Sequence, residues 1–363
     1  MFGNYFKEKK VLVIGHTGFK GAWLSEWLLM LGAKVSGVSL GVPTTPSLFE
    51  TLNLSDRLND HRCDIRDLDA LLAIFKKETP DVVFHLAAQP IVSQGYDDPK
   101  TTFDTNLGGT VNVMEAIRVT SSIKAAVMIT SDKCYHNVEW PFGYRETDRL
   151  GGKDPYSASK ACAELAVHAY NESFFKGSNQ SIASVRAGNV IGGGDWAENR
   201  IVPDCMRAWS NHKPVTIRAP HATRPWQHVL EPLSGYLLLA SKLDQSLSGQ
   251  AYNFGPDASV NASVSALIHA LAVDWDGAAI DVNPATMQHA EAGLLKLSCD
   301  KALHELNWQP TLKLQDTIQF TSQWYLGHKN NMDMLALTQG QIMAYCEQAA
   351  RQEHVWCTST QTV

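Results

Sequence analysis

Tyr156 and Lys160 are the residues of this 363-residue chain best suited to move a proton to or from a hydroxyl group. They follow Asp154 and Pro155, which favour a helix start as N-cap and first helical residue, so both side chains lie on one helical face, one turn apart. A lysine ammonium beside a phenol favours the phenolate, which predicts a Tyr156 pKa lowered from about 10 toward neutrality. Such a phenolate can accept an alcohol proton while a hydride leaves the same carbon.

The Tyr-x-x-x-Lys spacing is a weak signal when taken alone. Tyr5 and Lys9 match it too, ahead of the first predicted strand and with no role in chemistry. The interpretation of Tyr156 and Lys160 therefore depends on the other motifs that accompany them.

A second candidate group, Ser131, Asp132 and Lys133, lies within Thr-Ser-Asp-Lys-Cys-Tyr at 130–135, directly after an apolar run. Ligands of parallel α/β sheets bind at the carboxyl ends of the strands, which is where this group stands. Titratable groups at such an edge are candidates for catalysis. The alternative interpretation is a plain ion pair between Asp132 and Lys133 at a strand end.

Three glycines lie between an apolar strand at 11–14 and an amphipathic helix. Gly15 permits a tight turn, Gly18 lets the backbone approach a pyrophosphate, and Gly21 allows close packing of helix on strand, while N–H groups at the helix start attract negative charge. The spacing is G-x-x-G-x-x-G rather than G-x-G-x-x-G, and the alternative is that the glycines only end a strand. The predicted cofactor-binding residues of the turn are Gly15, Thr17, Gly18, Phe19, Lys20 and Gly21.

The second strand indicates which dinucleotide is bound. It ends at 38–41 without the acidic residue that usually binds the ribose of NAD, and also without an arginine that would meet a 2′-phosphate. NAD is therefore the predicted cofactor. Asp64 is a candidate for the adenine edge, with a helix cap as the alternative role, although Asp67 is better placed to cap.

These motifs lie in a chain that alternates β-branched runs with helical patterns. Strands at 11–14, 34–38, 82–86 and 125–130 predict an α/β fold with a Rossmann-type doubly wound parallel sheet. From about residue 181 the alternation loosens, which predicts a smaller C-terminal α/β domain. The predicted boundaries are 1–180 for the dinucleotide-binding domain, with 226–250 packing back on it, and 181–225 plus 251–363 for the second domain.

Composition excludes several function classes. A net charge of −6 without a basic stripe argues against nucleic acid and anionic membrane surfaces, and favours small-molecule partners. No signal-peptide core and no apolar run long enough to cross a bilayer are present, which predicts a cytoplasmic location. The seven cysteines are scattered without a Cys-x-x-Cys, so neither a disulfide framework nor a metal site is predicted.

Taken together, these motifs resemble the extended short-chain dehydrogenase/reductase family over nearly the whole chain. The segments at 15–21, 130–135 and 192–204 look most like its nucleotide-sugar dehydratases. The resemblance implies further cofactor-binding residues besides those of the turn. They are Asp64, Ile65, Leu86, Ala87, Ala88, Thr105, Tyr156 and Lys160.

The resemblance also implies a reaction at a sugar. Ser131 would hydrogen-bond the 4-hydroxyl, Tyr156 would remove its proton, and NAD would take the hydride from carbon 4. Asp132 would then be the acid that protonates the departing 6-hydroxyl. Lys133 occupies the place where related dehydratases carry a glutamate base, so it would either remove the carbon-5 proton in its neutral form or only orient a water or stabilise the enolate.

A nucleotide sugar carries a diphosphate, which arginines can bind bidentately. The resemblance implies CDP-glucose as the substrate, although spacing alone does not identify the base. The implied substrate-binding residues are His85, Asn189, Arg200, Arg218, Arg224 and Asn253. Small residues along the helix from Pro155 suggest a homodimer or a dimer of dimers, with packing inside one subunit as the alternative.

Two other functions fit part of these observations. A nucleotide-sugar 4-epimerase, or a dehydratase for another nucleotide sugar, would share Tyr156, Lys160 and the glycine turn. A non-catalytic module that only senses NAD would need the cofactor half alone. The presence of Ser131 and Asp132 beside the Tyr–Lys pair argues against such a module.

Overall fold

The computed structural model describes residues 1–217, 219–283 and 293–357. Within them, the core is a parallel sheet in which the strands lie in the order β11-β6-β5-β4-β1-β2-β3. Its strands are β1 Lys10–Ile14, β2 Lys34–Ser39, β3 Asn59–Arg62, β4 Val82–His85, β5 Ala125–Ile129, β6 Ser181–Arg186 and β11 Ala251–Asn253. The predicted Rossmann-type doubly wound sheet is confirmed.

The order of the strands reverses beside β1. This strand pairs in parallel with β2 on one side and with β4 on the other. The crevice outside the carboxyl ends of such a pair is where ligands of doubly wound sheets bind.

Helices cover both faces of the sheet because the pleat sends alternate side chains to opposite sides. Val11 and Val13 pack on one face, and Leu12 and Ile14 pack on the other. The helices are α1 Phe19–Met30, α2 Leu48–Thr51, α3 Leu68–Glu78, α4 Val92–Asp97, α5 Pro99–Phe103, α6 Thr110–Val119, α7 Pro155–Tyr170, α8 Ile201–Ser210, α9 Leu230–Lys242, α10 Val264–Ala272, α11 Asp300–Leu306, α12 Leu314–Lys329 and α13 Met334–Arg351. Helices α1 and α9 lie on the first face, and α3, α6 and α7 lie on the second.

The predicted domain boundary at residue 180 is wrong for two strands. Residues 181–186 and 251–253 were expected in the second domain, but as β6 and β11 they extend the main sheet in parallel from β5. Helix α9, which lies within the segment 226–250, contacts β5 of the same sheet. A strand's local pattern does not say which sheet it joins, because that depends on pairing far along the chain.

The remaining strands form small two-stranded sheets at the second domain. They are β7 Val190–Ile191 with β10 Gln227–His228, β8 Val215–Ile217 with β13 Ile280–Val282, and β9 Thr223–Arg224 with β12 Ala262–Ser263.

The C-terminal helix α13 packs back on the first domain, against α1. Gln339 Nε2 donates to Glu26 Oε1 at 2.8 Å, and the Tyr345 and Trp27 ring centroids lie 5.8 Å apart. Across the described ranges, no helix combines the length and apolar character needed to span a membrane.

Candidate active site

A cleft of about 1360 Å³ opens at the carboxyl ends of the sheet strands. Its walls are the glycine turn after β1, the residues after β4 and β5, the first turns of α7, and the loops that lead into α8 and β9. The two groups of candidate residues that lie far apart in the sequence therefore face one space.

The glycine turn has the shape that a pyrophosphate requires. Gly15 has φ of +98°, and a Cβ there would come within 2.6 Å of the Ala87 nitrogen. A Cβ on Gly21 would lie 2.0 Å from the Gly15 oxygen, so both positions exclude any side chain. Helix α1 begins after Gly18 without a side-chain cap, which leaves N–H groups of its first turn to bind an anion. The turn therefore fits a dinucleotide.

The other predicted cofactor residues border the same cleft. Asp64 forms an ion pair with Arg66, with Oδ2 and Nη2 2.6 Å apart, and does not cap a helix. Asp67 caps α3 instead by accepting from the Ala70 N–H at 3.0 Å. The predicted cofactor-binding residues that line the cleft are Gly15, Thr17, Gly18, Phe19, Lys20, Gly21, Asp64, Ile65, Leu86, Ala87, Ala88, Thr105, Tyr156 and Lys160.

Ser131 is the N-cap of a short 3₁₀ turn, Asp132–Cys134, that follows β5. Its Oγ donates to Asp132 Oδ1 at 2.9 Å and accepts from the Lys133 N–H at 3.2 Å. It also shares a hydrogen bond with Tyr156, which lowers the pKa of that phenol. All three residues of the predicted group line the cleft.

Tyr156 and Lys160 lie in the first turns of α7. The helix begins as predicted, with the Asp154 carboxylate accepting from the Ser157 N–H at 2.9 Å and Pro155 as the first helical residue. Both side chains are buried, at 7% and 5% exposure, yet both line the cleft. Tyr5 and Lys9, which share the spacing, are not among the residues that line it.

The predicted direction of the Tyr156 pKa is wrong for the protein by itself. Burial raises this pKa to about 12, since it disfavours the phenolate more than the Ser131 hydrogen bond and the cation of Arg200 favour it. Burial also lowers the pKa of Lys160 to about 8, and the carboxylate of Glu164 acts against that shift. In the protein by itself, Tyr156 is therefore a neutral phenol at neutral pH.

Cations surround this part of the cleft. Burial lowers the pKa of Lys20 to about 8, and the charges of Arg200 and Lys160 lower it further. Arg200 donates to Asp195 Oδ2 at 2.9 Å. The glycine turn and the second domain therefore both present positive charge to the catalytic end of the cleft.

Only some of the predicted substrate-binding residues line the cleft. Asn189, Arg200 and Arg224 line the cleft. Arg224 Nη1 donates to the Thr223 oxygen at 2.9 Å. Arg218 lies outside the described residues.

His85 and Asn253 are not among the residues that line the cleft, so their predicted contact with substrate is corrected. His85 is buried at the end of β4, its Nε2 lies 3.0 Å from Thr110 Oγ1, and burial lowers its pKa to about 3. Asn253 is fully buried, donates to the Tyr144 oxygen at 2.9 Å and accepts from the Tyr135 hydroxyl at 2.8 Å. The polar atoms of Asn253 bind the protein, and the residue supports the loop behind Tyr135.

Two residues that the sequence analysis did not identify shape the site. Glu164 follows Lys160 by one helical turn. This spacing could have identified it from the sequence, because it places a carboxylate on the same helical face as Lys160. Gly188 gives the Asp132 carboxylate its space, because a Cβ there would lie 1.8 Å from Asp132 Oδ2. No local pattern identifies Gly188, since the contact joins the turn after β5 to the loop after β6.

A dinucleotide-binding sheet, with a buried tyrosine and lysine in the same cleft, defines an extended short-chain dehydrogenase/reductase. A family model described as GDP-mannose 4,6 dehydratase matches residues 12–321, and the chain belongs to this family. The resemblance that the motifs predict is therefore confirmed.

Individual relatives cover nearly the whole chain. CDP-glucose 4,6-dehydratase of Salmonella typhimurium is 44% identical over 355 residues, which are 96% of this chain and 99% of that protein. CDP-paratose 2-epimerase of Salmonella typhi is 23% identical over 342 residues, covering 87% of this chain and 98% of that protein. Among solved structures, Thermus thermophilus UDP-glucose 4-epimerase in complex with NAD is 27% identical, with a TM-score of 0.76, covering 87% of this chain and 99% of that one.

Proposed function

We propose that this protein is an NAD-dependent CDP-glucose 4,6-dehydratase, a hydro-lyase. It converts CDP-D-glucose to CDP-4-dehydro-6-deoxy-D-glucose and water by transient oxidation at carbon 4, elimination across carbons 5 and 6, and return of the hydride to carbon 6. The observation that carries the proposal is the meeting of the glycine turn, the Ser131–Asp132–Lys133 group and the Tyr156–Lys160 pair in one cleft. The 44% identity to a CDP-glucose 4,6-dehydratase supports the choice of substrate.

The glycine turn and α1 would hold the pyrophosphate of NAD, and Asp64 and Ile65 would border its adenosine end. The exclusion of side chains at Gly15 and Gly21 supports this assignment, as does the uncapped start of α1. When bound, NAD supplies the hydride acceptor and later the hydride donor, together with a positively charged ring.

Ser131 and Tyr156 would act first, on the 4-hydroxyl. The hydrogen bond that they share supports a common contact with one substrate oxygen. Tyr156 would accept the hydroxyl proton, and Lys160 would favour the phenolate by its positive charge. The product of this step is a ketone at carbon 4, which acidifies the hydrogen on carbon 5.

Asp132 and Lys133 would act in the elimination. Asp132 would donate a proton to the departing 6-hydroxyl, which its place beside Ser131 Oγ at 2.9 Å supports. Lys133 would remove the carbon-5 proton as a neutral amine, or stabilise the enolate as an ammonium. Both roles require Lys133 to face the ketone.

Arg200, Arg224 and Asn189 would bind the diphosphate and the nucleoside, with Arg218 proposed on the sequence alone. Their shared position at the second-domain wall of the cleft supports this role for the first three. Arginine pairs bidentately with phosphate oxygens, which favours a nucleotide over a free sugar.

Incubation with CDP-glucose deuterated at carbon 4 tests the proposal. Dehydration predicts a product lighter by one water that keeps the label, now at carbon 6. Unchanged substrate contradicts the proposal. A 4-epimer of unchanged mass instead identifies the protein as an epimerase, the second candidate.

The sequence features support a homodimer and a cytoplasmic location as further parts of this proposal. Small residues on α7 would let two copies of that helix approach closely. Light scattering of the purified protein measures the oligomeric state, and a monomer at working concentrations contradicts the dimer.

A further inference from the structure

Glu164 continues the face of α7 that carries Tyr156 and Lys160. The three residues follow at intervals of four within Pro155–Tyr170, so each side chain lies one turn from the next. Lys160 and Glu164 are both buried, at 5% exposure each. Tyr156 and Lys160 line the cleft, whereas Glu164 lies behind them.

Glu164 is held from several sides by hydrogen-bond donors. Ser184 Oγ donates to its Oε2 at 2.7 Å, and Arg186 Nη2 donates to the same oxygen at 2.7 Å. Thr130 Oγ1 donates to its Oε1, and Thr130 directly precedes Ser131. The carboxylate therefore joins β6 and the end of β5 to the helix that carries Lys160.

The charges around Lys160 make Glu164 its anionic neighbour. Cys134 and His85 also face Lys160, but burial raises the pKa of the Cys134 thiol and lowers that of His85 to about 3, so both are neutral at neutral pH. Lys20 adds a second cation. Burial opposes ionisation of Glu164, yet Arg186 and the hydrogen-bond donors lower its pKa, so the side chain is a carboxylate.

We propose that Glu164 is a positioning residue with two effects. It keeps the Lys160 side chain in its ammonium form, and through Thr130 it holds the strand end that carries Ser131. The inference deepens the proposed function and rests on it, because in the proposed first step the ammonium of Lys160 would favour the Tyr156 phenolate. Glu164 itself does not touch the substrate. It acts through Lys160 and through the strand end that carries Ser131.

A purely structural role for Glu164 gives a different expectation. Arg186 is buried, and it also donates to the Tyr135 hydroxyl at 2.7 Å and to the Glu146 backbone oxygen at 3.1 Å. If Glu164 served only to neutralise Arg186, its loss would lower stability and leave the protonation of Lys160 unchanged. Titration of Lys160 therefore distinguishes the two roles.

The experiment measures this titration by competitive acetylation of the whole protein with trace acetic anhydride across pH, followed by mass spectrometry of the Lys160 peptide. Only the neutral amine reacts, and wild type should show a midpoint at about pH 8. In E164Q we expect the Lys160 midpoint to fall by about one pH unit or more, because the attraction of a buried carboxylate one helical turn away is lost. Lys20 is an internal control, since its pKa is also lowered to about 8 and Glu164 is not among the groups that affect it. Loss of the Lys160 charge would raise the Lys20 midpoint and not lower it.

The outcomes separate cleanly. A fall for Lys160 without a fall for Lys20 supports the proposal, and recovery of the wild-type midpoint in E164D supports it further. An unchanged Lys160 midpoint in folded E164Q overturns it. If E164Q does not fold, the double variant E164Q/R186M removes the unpaired arginine as well. A lower Lys160 midpoint in this variant supports the proposal, and an unchanged midpoint overturns it.

The labelling uses neither substrate nor cofactor. If the protein fails to dehydrate CDP-glucose, the proposed function is contradicted. The effect of Glu164 on the Lys160 titration is still decided, because that measurement does not depend on activity. In an active enzyme, the alkaline limb of the kcat profile should move to lower pH in E164Q. E146Q is the matched control, because Glu146 contacts Arg186 through its backbone oxygen and does not affect the pKa of Lys160.

Discussion

The carboxylate of Asp132 packs directly on the backbone of Gly188, so closely that a Cβ on Gly188 would lie 1.8 Å from Asp132 Oδ2. This contact joins the turn after β5 to the loop that leads into the second domain. Asp132 in turn accepts from Ser131 Oγ at 2.9 Å. The position of the proposed acid therefore depends on the absence of a side chain at one residue of another strand connection.

Gly188→Ala should therefore damage catalysis although it replaces no proposed catalytic residue. The added methyl displaces Asp132, and misplacement by about 1 Å can cost on the order of 100-fold in rate. The measurement is the initial rate of formation of the dehydrated product by mass spectrometry. Gly340→Ala adds the same methyl at an exposed position of α13 with nothing within 4 Å, and it should leave the rate unchanged. A wild-type rate for G188A would show that Asp132 is not the acid.

Lys133→Met should separate oxidation from elimination. The variant keeps an unbranched apolar stem but loses the amine, so carbon 4 is still oxidised while the carbon-5 proton stays in place. We expect reduced cofactor to accumulate, measured by its absorbance in a single turnover, with no dehydrated product. Lys153, an exposed lysine that also borders the cleft, provides the control, and K153M should form product. Full turnover by K133M would exclude Lys133 from the elimination.

Tyr156→Phe should abolish the first step. The ring remains packed, but no group remains to accept the hydroxyl proton, and the loss of a general base typically costs about 10²–10⁴-fold. The measurement is the rate of cofactor reduction in one turnover, together with calorimetric NAD affinity, which should change little. Tyr5→Phe, in the other Tyr-x-x-x-Lys match of the chain, should behave as wild type. Normal reduction by Y156F would show that another group accepts the proton.

How far the sequence predicts the fold depends on where each strand lies in the sheet. The central strands β1, β4 and β5 are buried on both faces and read as continuous apolar runs, so their positions were evident. The edge strand β3, Asn59–Arg62, is polar throughout and gave no such signal. It is specified by its pairing with β2, which only the folded chain brings about.

The site was predictable to the extent that its chemistry follows from motifs. The glycine turn and the helix start at Asp154 and Pro155 act locally, so sequence spacing captures them. The Tyr156 pKa was predicted in the wrong direction because desolvation depends on everything packed around the phenol, including loops from the second domain. His85 and Asn253 lie beside predicted motifs, but burial behind the cleft decides what their side chains contact.

Stability should also depend on pH through Glu231, a buried residue of α9 that lies outside the cleft. It accepts from the Leu312 N–H at 2.6 Å and from the Tyr345 hydroxyl at 2.9 Å, yet burial raises its pKa from 4.5 to about 7. A raised pKa in the folded state means that the protonated form stabilises the protein. That contribution is complete below pH 4.5 and is lost as the pH rises through about 7.

Denaturant unfolding between pH 5 and pH 8 measures this loss, which we expect to reach about 3 kcal/mol in wild type relative to E231Q. Other buried groups titrate as well: burial lowers the pKa of His228 to about 3, so this histidine makes the protein less stable as the pH falls. Its contribution is the same in wild type and in E231Q, so the difference between the two proteins isolates Glu231. Glu347, exposed on α13, provides the control, and E347Q should follow the wild-type profile. Parallel profiles for wild type and E231Q would mean that Glu231 keeps its ordinary pKa in the fold, since its hydrogen-bond donors would then fully offset its burial.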